Sequence, residues 1–369
     1  MDKTKGTIGT REFIAIIILT IGTKLEDDTP SLFFSSMGSA AWMAPIIIGV
    51  TTILPVFFIL KIFTIYPNKT FVEIIKEVFG KYVGFFVLFA LWIIQIYALI
   101  IDSSIYTDIM GTMYFNDTPT IVIYAVLISV AAYGAKKGFE HISSYAWIII
   151  AGVKVTALTV LVLIVLQGRP EFIFPLFGTG KWEIIKGSTS YISIFADLFY
   201  FAFIASYLKS TKVLKKGMWI GLAFITIEIS TAIMSYVMLF DFNGIKLIDY
   251  PYHESIRTIQ LGFIRNTESL FFPFWLIATF ARFSFYFYIS VLLFSTLFKI
   301  SQKEFIIPIL ATLIVFFGMI PETPTFAIYT LRGEFLKLVT PVFLFLPFVI
   351  WVLAKLKGGS KNDKKKAAE

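Results

Sequence analysis

Charged residues occur in the middle of long apolar runs of this sequence, where an ionisable side chain is expensive unless it faces a cavity or a partner. Five runs carry such charges at about the same depth, through the residues Lys24, Glu26, Lys154, Asp197, Glu228 and Arg282. Charges that share one depth predict a polar site suited to holding a small charged ligand or a proton. The alternative is a set of structural ion pairs, for example Lys154 with Glu228.

Three of these charges suggest particular chemistry. Lys154 and Glu228 are the candidates for proton or ion coupling, because burial and a nearby carboxylate act in opposite directions on the proton of a lysine. That balance suits a proton switch and equally suits a structural pair. Arg282 keeps its charge under physiological conditions, so we expect it to pair with a carboxylate of the protein or of a ligand.

The first apolar run stops at Ile21, Gly22 and Thr23, and acidic residues follow at 26–28. A helix broken there would free backbone groups, which is tolerable only beside a protein-lined or wet cavity. The N-terminal end of a half-helix suits a carboxylate and the C-terminal end suits an ammonium, and an amino acid presents both. The acids either line an outward vestibule or begin an exposed outer loop.

A second break is predicted in the sixth apolar run, where Asp197 lies beside aromatic residues. No Gly or Pro marks this break, and Phe199 and Tyr200 suit core packing as well as gating. The predicted ligand contacts are therefore Ile21, Gly22, Thr23, Lys24, Glu26, Asp197, Phe199, Tyr200 and Arg282.

The sequence offers no catalytic constellation. It lacks a Gly-rich phosphate loop, a nucleophile elbow and an acid pair in a catalytic context, and it has no Cys. The two histidines, His141 at the entrance of a run and His253 in a loop, do not make a metal site. We expect no enzymatic activity, no cofactor and no metal.

The composition identifies the elements that must position these charges. Of 369 residues, 57% are hydrophobic and 15% charged, whereas soluble domains have about 25% charged residues. The mean hydropathy is +0.83. The net charge of +8 lies in short loops between apolar runs, which is typical of membrane topology and not of nucleic-acid binding. These values exclude a soluble enzyme, a nucleic-acid binder and a disulfide scaffold, and they predict an all-α integral membrane protein embedded in lipid.

Ten runs approach the roughly 20 residues that a spanning helix needs. They are 12–35, 42–66, 83–109, 119–135, 141–166, 189–208, 217–240, 269–297, 304–321 and 334–355. Lys and Arg concentrate in alternate loops, which predicts that both termini are cytoplasmic. A rival count makes 30–60 one long helix, but the small residues at 35–41 favour a turn. We predict one domain, 1–356, and a disordered basic tail, 357–369.

Two shorter stretches look amphipathic. Residues 68–80 predict a helix on the inner surface, and the loop 241–268 predicts a similar cap outside.

Several short motifs resemble the spore germination permease family, the B subunits of germinant receptors in the amino acid–polyamine–organocation superfamily. The similarity lies in Ile21-Gly22-Thr23, in the stretch 250–257, in Phe263-Ile264 and in Glu268-Ser269-Leu270-Phe271 followed by 275–288. Together with the ten-span layout it covers nearly the whole chain.

The resemblance implies a LeuT-like fold, a five-plus-five inverted repeat with helices 1 and 6 broken. It implies an amino acid or similar nutrient as ligand, a larger membrane A subunit and a C lipoprotein subunit as partners, and the spore inner membrane as location. Lys154 matches the position where sodium-independent members carry a lysine in place of the ion. Lys24 departs from the family pattern, and we expect it to occupy the place of a ligand's amine or to pair with Glu26 or Asp197.

Overall fold

The computed structural model describes residues 7–259 and 268–366, and these form a bundle of helices joined by short turns. Within these residues the chain forms one β-type pairing, an isolated parallel bridge between Ile8 and Leu208. The helices are α1 Thr10–Gly22, α2 Thr29–Met37, α3 Ala44–Ile65, α4 Phe71–Phe79, α5 Lys81–Ile109, α6 Thr120–Lys137, α7 Phe139–Gln167, α8 Lys181–Ser190, α9 Asp197–Tyr200, α10 Thr211–Gly244, α11 Pro251–Thr258, α12 Glu268–Leu297, α13 Ile306–Gly318 and α14 Gly333–Lys366.

Both predicted breaks are confirmed. The α-helix α1 ends at Gly22, a single tight turn covers Thr23–Leu25, and the chain bends before α2 begins at Thr29. The chain bends again by 48° between α8 and the irregular segment Ile192–Tyr207, which consists of 3-10 turns around the four-residue α9. We call α1 with α2 helix 1, and α8 with the segment Ile192–Tyr207 helix 6, after the first and sixth predicted spans. Each of these two helices consists of two parts with irregular backbone between them.

Eight of the ten predicted spans correspond to segments long and apolar enough to cross a membrane, if the bent pair around α9 counts as one. The first span, 12–35, is divided by its break, and the ninth is the 13-residue α13. The apolar segment Thr29–Ile65 is not one straight helix, because Gly38 interrupts it with φ 56° and ψ −133°. That turn lies in the small-residue stretch 35–41, which favours separate first and second helices.

The first helix lies at the centre of the bundle. α1 packs against α7, α10 and α12, while α12 also packs against α5, α6 and α7. In the most apolar 18-residue stretch of α12, 78% of the residues are buried inside the protein, compared with 17% in the corresponding stretch of α7. The break in helix 1 is consequently enclosed by α12 and α10, and α7 presents most of its surface to lipid.

The amphipathic stretch 68–80 contains the helix α4, as predicted. Thr70 and Glu73 form a reciprocal capping box at its start, with N–O distances of 2.8 and 3.2 Å. The predicted outer cap contains α11, and the motif Phe263-Ile264 lies outside the described residues. The helix α14 extends to Lys366, beyond the start of the predicted tail at 357, and 367–369 lie outside the described residues. The division into a domain, 1–356, and a tail stays a prediction.

Candidate functional site

A buried ion pair joins the two helix breaks. Lys24, in the tight turn after α1, donates to the carboxylate of Asp197 at the start of α9. The same ammonium donates to the backbone carbonyl of Ile194, with an Nζ–O distance of 2.5 Å. Of the two partners that the sequence left open for Lys24, the structure selects Asp197 and not Glu26. An irregular helix end with a carbonyl and a carboxylate is thus arranged to receive an ammonium group.

This ion pair borders a cavity of about 40 Å³ between the two halves of the bundle. The volume accommodates one or two water molecules and is smaller than an amino acid. Among the predicted ligand contacts, Lys24, Asp197 and Tyr200 line it, together with Gln95, Asp102, Tyr286, Arg332 and Phe335. The other six predicted contacts, Ile21, Gly22, Thr23, Glu26, Phe199 and Arg282, are not part of its wall as the described residues form it. Their role in ligand binding stays a prediction.

Two arginines and three aspartates form a second cluster beside the cavity. Arg282 donates from Nη1 to Asp27 at 3.0 Å and from Nη2 to Asp102 at 2.6 Å. Arg332 donates to Asp28, contacts Asp27 at 3.3 Å, and places its Nε 3.0 Å from Asp102. All five side chains are buried. We call this set the arginine cage; it ties the break in helix 1 to α5, α12 and the segment leading into α14.

The arginine cage resolves two alternatives. Asp27 and Asp28 are 0% and 1% exposed, so these acids do not begin an exposed outer loop. Arg282 pairs with carboxylates of the protein, one of the two options that its permanent charge allowed. Its Nη1 also lies 2.5 Å from the hydroxyl of Tyr106 and 3.4 Å from that of Thr23. The Thr23 hydroxyl and the Asp27 carboxylate both lie in the break of helix 1, so Arg282 contacts that break through two side chains.

The third cluster is the pair of Lys154 and Glu228, with an Nζ–Oε1 distance of 2.6 Å. It lies against the last residue of α1. A Cβ atom on Gly22 would lie 2.8 Å from Glu228 Oε2 and 3.2 Å from Lys154 Nζ. Only glycine allows the charged groups to approach the backbone this closely. The structural pair expected as the alternative to a proton switch is present, and whether it also exchanges a proton stays a prediction.

A larger groove, about 340 Å³, opens between α7 and α10 beside this pair. Its wall is mainly apolar and includes Leu158 and Ile227, which are exposed on the outside of the bundle. The groove therefore faces lipid and lies apart from the cavity between the breaks.

The two aromatic candidates behave differently. Tyr200 donates its hydroxyl to the carbonyl of Leu91 at 2.9 Å and lines the cavity. Phe199 packs edge-on against the rings of Phe71, Phe203 and Phe343. The surroundings of Phe199 match the packing alternative, whereas Tyr200 lines the cavity and its role as a ligand contact stays a prediction.

Sequence reasoning missed Asp102 and Arg332. Asp102 lies within the apolar run 83–109, so the rule that identified the other buried charges would have found it. Arg332 lies between the ninth and tenth predicted runs, a loop that the ten-span topology places outside, but only 3% of it is exposed. Its position just before the last apolar run gave no signal of burial, because its three acidic partners are more than 200 residues away in the sequence.

Two solved transporter structures share this fold. One is a sodium-coupled sialic acid symporter, described as substrate-bound and outward-open, with a TM-score of 0.67 and 12% sequence identity, matched over 92% of this chain and 78% of the other. The second is Mhp1, a transporter of the nucleobase–cation symport-1 family in a closed conformation, with a TM-score of 0.63 and 10% identity over the same shares. The LeuT-like architecture with broken helices 1 and 6 is therefore confirmed.

The sequence comparisons concern spore germination proteins. Spore germination protein KB of Bacillus subtilis is 26% identical over 305 residues, covering 80% of each chain. Spore germination protein B2 of the same species is 21% identical over 333 residues, covering 87% of this chain and 89% of the relative. The family model described as spore germination protein matches residues 10–327. That match extends over most of the chain, from the start of α1 to the segment before α14, and so this multi-pass membrane chain belongs to the spore germination protein family.

Proposed function

We propose that this chain is the nutrient-sensing membrane subunit of a spore germinant receptor, and that it binds an amino acid or a similar nutrient between the breaks of helices 1 and 6. The ion pair of Lys24 and Asp197 carries the proposal. It connects the two breaks, it borders a cavity, and its ammonium is held by a carboxylate and a backbone carbonyl. A ligand ammonium could take up the same contacts.

Ligand entry requires this ion pair to separate. The cavity of about 40 Å³ is too small for an amino acid while Lys24 remains on Asp197. A ligand amine that displaces Lys24 would take over Asp197 and Ile194, and its carboxylate would then meet the displaced lysine or Arg332. Separation of the pair also releases the contact between the two broken helices. Binding is thereby linked to a change in the bundle, which is how we propose that the subunit triggers germination.

The test uses purified protein and a panel of amino acids, with thermal stabilisation as the measure of binding. Asp197→Asn keeps the shape of the side chain and removes its charge, and a hydrogen bond to a charged group contributes about 1.5–3 kcal/mol. We expect the ligand concentration needed for half-maximal stabilisation to rise about tenfold or more. The concentration needed to germinate spores that carry the variant should rise in parallel.

The matched control is Glu334→Gln, which makes the same chemical change at an exposed acid paired with Lys337. This variant should bind and germinate like the wild type. An unchanged response of Asp197→Asn, in protein that folds and assembles normally, would contradict a ligand site between the breaks.

The second candidate function is a proton-coupled amino acid or polyamine transporter. It is favoured by the position of the Lys154–Glu228 pair against the end of α1. A transporter would accumulate labelled substrate in proteoliposomes with an imposed pH gradient, and Lys154→Ala would abolish that accumulation. A receptor would be stabilised by its ligand and would show no accumulation.

We further propose that the chain works in the spore inner membrane with a larger membrane A subunit and a lipoprotein C subunit. Family membership supports this assembly. Affinity purification of the tagged chain from spore membranes should recover both partners in constant proportion. Recovery of the folded chain alone, under conditions that preserve ligand binding, would contradict the assembly.

A further inference from the structure

Glu26 is a buried acid that forms no ion pair within the part of the chain that the structure describes. It lies in the break of helix 1 and is 1% exposed. Its Oε2 has no hydrogen-bond partner, and its carboxylate takes part in no ion pair among residues 7–259 and 268–366. An unpaired charge at such a position is very costly.

The neighbouring charges are already committed elsewhere. Six buried or nearly buried carboxylates face four cations in the interior that the structure describes. Asp27, Asp28, Asp102, Asp197 and Glu228 each contact at least one of Lys24, Lys154, Arg282 and Arg332. Glu26 is the remaining acid, and with all six carboxylates ionised the four cations would leave an excess of two negative charges, which protonation of Glu26 reduces to one.

The titratable groups that the structure describes around Glu26 supply no free cation, so a proton is the simplest group that can neutralise its carboxylate. On the elements packed around it they are Lys154 of α7, Glu228 and Tyr236 of α10, Tyr252 and His253 of α11, Arg282 of α12, Tyr106 and Tyr114 of the α5 region, and Asp27 of its own break. The tyrosines are neutral donors. Burial lowers the pKa of His253, in the cap outside the spans, to about 3, so that histidine is neutral as well.

We propose that Glu26 is a proton-binding site that holds an exchangeable proton in this conformation. The proton neutralises the carboxylate of Glu26 and so removes one of the two excess negative charges of this interior. Loss of the proton would place a bare carboxylate near the Lys154–Glu228 pair and the arginine cage, where it would compete with Glu228 and Asp27 for their cations. Proton binding at Glu26 therefore controls whether the Lys154–Glu228 pair and the arginine cage keep their present partners. The inference does not depend on the identity of the nutrient or on whether the chain transports it.

The test is infrared difference spectroscopy of the full-length protein in lipid at neutral pH. A protonated carboxylic acid has a carbonyl stretch that ionised carboxylates lack and that shifts in heavy water. We expect this band in the wild type and expect Glu26→Gln to lose the intensity of one acid. The control Glu254→Gln, at an acid on α11 whose side chain is 35% exposed, should retain it.

A second variant keeps the test decisive if Glu26→Gln does not fold. Glu26→Asp retains an acid with altered geometry, so the band should persist at a displaced frequency. Three outcomes would overturn the proposal: the band is absent from the wild type, it is unchanged in both Glu26 variants, or replacing choline chloride by sodium chloride removes it. The last result would mean that the site takes a sodium ion instead of a proton.

Discussion

At the scale of single residues, the interior is held by charge pairs that lose stability when either partner is removed. A buried pair contributes little compared with well-packed apolar residues, but removal of one partner leaves an uncompensated charge and costs about 3–5 kcal/mol. The arginine cage is an extreme case because each arginine contacts at least two of the three aspartates. Both arginines are therefore needed to neutralise one shared group of acids.

We expect Arg332→Met to destabilise the protein strongly. The substitution keeps much of the side-chain volume but leaves Asp27, Asp28 and Asp102 with Arg282 as their remaining arginine. The expected loss is about 3–5 kcal/mol, read as a lower midpoint of thermal unfolding in detergent. Lys337→Met is the control, since its pair with Glu334 is exposed and such pairs contribute about 0–1 kcal/mol. Equal midpoints for the two variants would contradict a structural role of the cage.

At the residue scale, the sequence predicts a buried charge correctly where a single charged residue lies within an apolar run. A charge within an apolar run is informative by itself, and Lys24, Lys154, Asp197, Glu228 and Arg282 all form buried or largely buried ion pairs. The choice of partner was not predictable, because the pairs join helices that are distant in sequence. Lys24 had two reasonable partners, and only the packing of helix 1 against helix 6 decides between them.

At the scale of elements, the position of α1 depends on small residues of α10. Gly217 and Gly221 are four residues apart and therefore lie on the same face of that helix. A Cβ atom on Gly217 would lie 2.2 Å from Cδ1 of Phe13, and one on Gly221 would lie 2.5 Å from Cγ2 of Ile17. Helix pairs in membranes commonly use this small-residue spacing to approach closely.

Gly217→Ala should therefore push α1 away from α10. The ring of Phe13 is fully buried and packs edge-on against Phe201 at 5.7 Å, so it has little freedom to move. Overpacking of this kind costs about 1–3 kcal/mol, which exceeds the roughly 1 kcal/mol that alanine gains over glycine in a helix. We expect a lower unfolding midpoint and weaker ligand stabilisation.

The control for this prediction is Gly244→Ala, at the end of the same helix. No atom of the side chains and backbone that the structure describes lies within 4 Å of the Cβ atom that this change adds. It should be neutral or slightly stabilising. If Gly217→Ala were equally neutral, the approach of α1 to α10 would not depend on the missing side chain.

The helix breaks were predictable to different degrees. In helix 1 the apolar run visibly stops at Gly22 and acidic residues follow, so sequence alone located the break. In helix 6 the signal was a single Asp197 between aromatics, and the inverted repeat implied by the family resemblance supported the same break. The segment Ile192–Tyr207 is irregular without glycine or proline, because tertiary contacts such as Lys24 with the Ile194 carbonyl hold its backbone.

At the scale of the whole molecule, the loops predicted to be cytoplasmic meet at one end of the bundle. Thr7 donates to Glu140 at 2.6 Å, and Ile8 pairs with Leu208. Lys136 lies 4.0 Å from Glu304. These contacts link four segments that the ten-span prediction places on the same side, so the alternation of the chain through the bundle agrees with the distribution of its basic residues.

The absolute orientation is testable because the chain contains no cysteine, which makes a single introduced thiol an unambiguous label. Lys136→Cys lies at the end of α6, on the predicted cytoplasmic side, and Lys181→Cys lies at the start of α8, on the predicted outer side. Both positions are exposed, so a difference in labelling would report sidedness and not burial.

With intact cells and a membrane-impermeant maleimide, we expect Lys181→Cys to react and Lys136→Cys to react only after permeabilisation. Ala15→Cys, at a fully buried position, is the control for nonspecific labelling. The reverse pattern would place the termini outside and would mean that the positive charge of the loops does not set the topology.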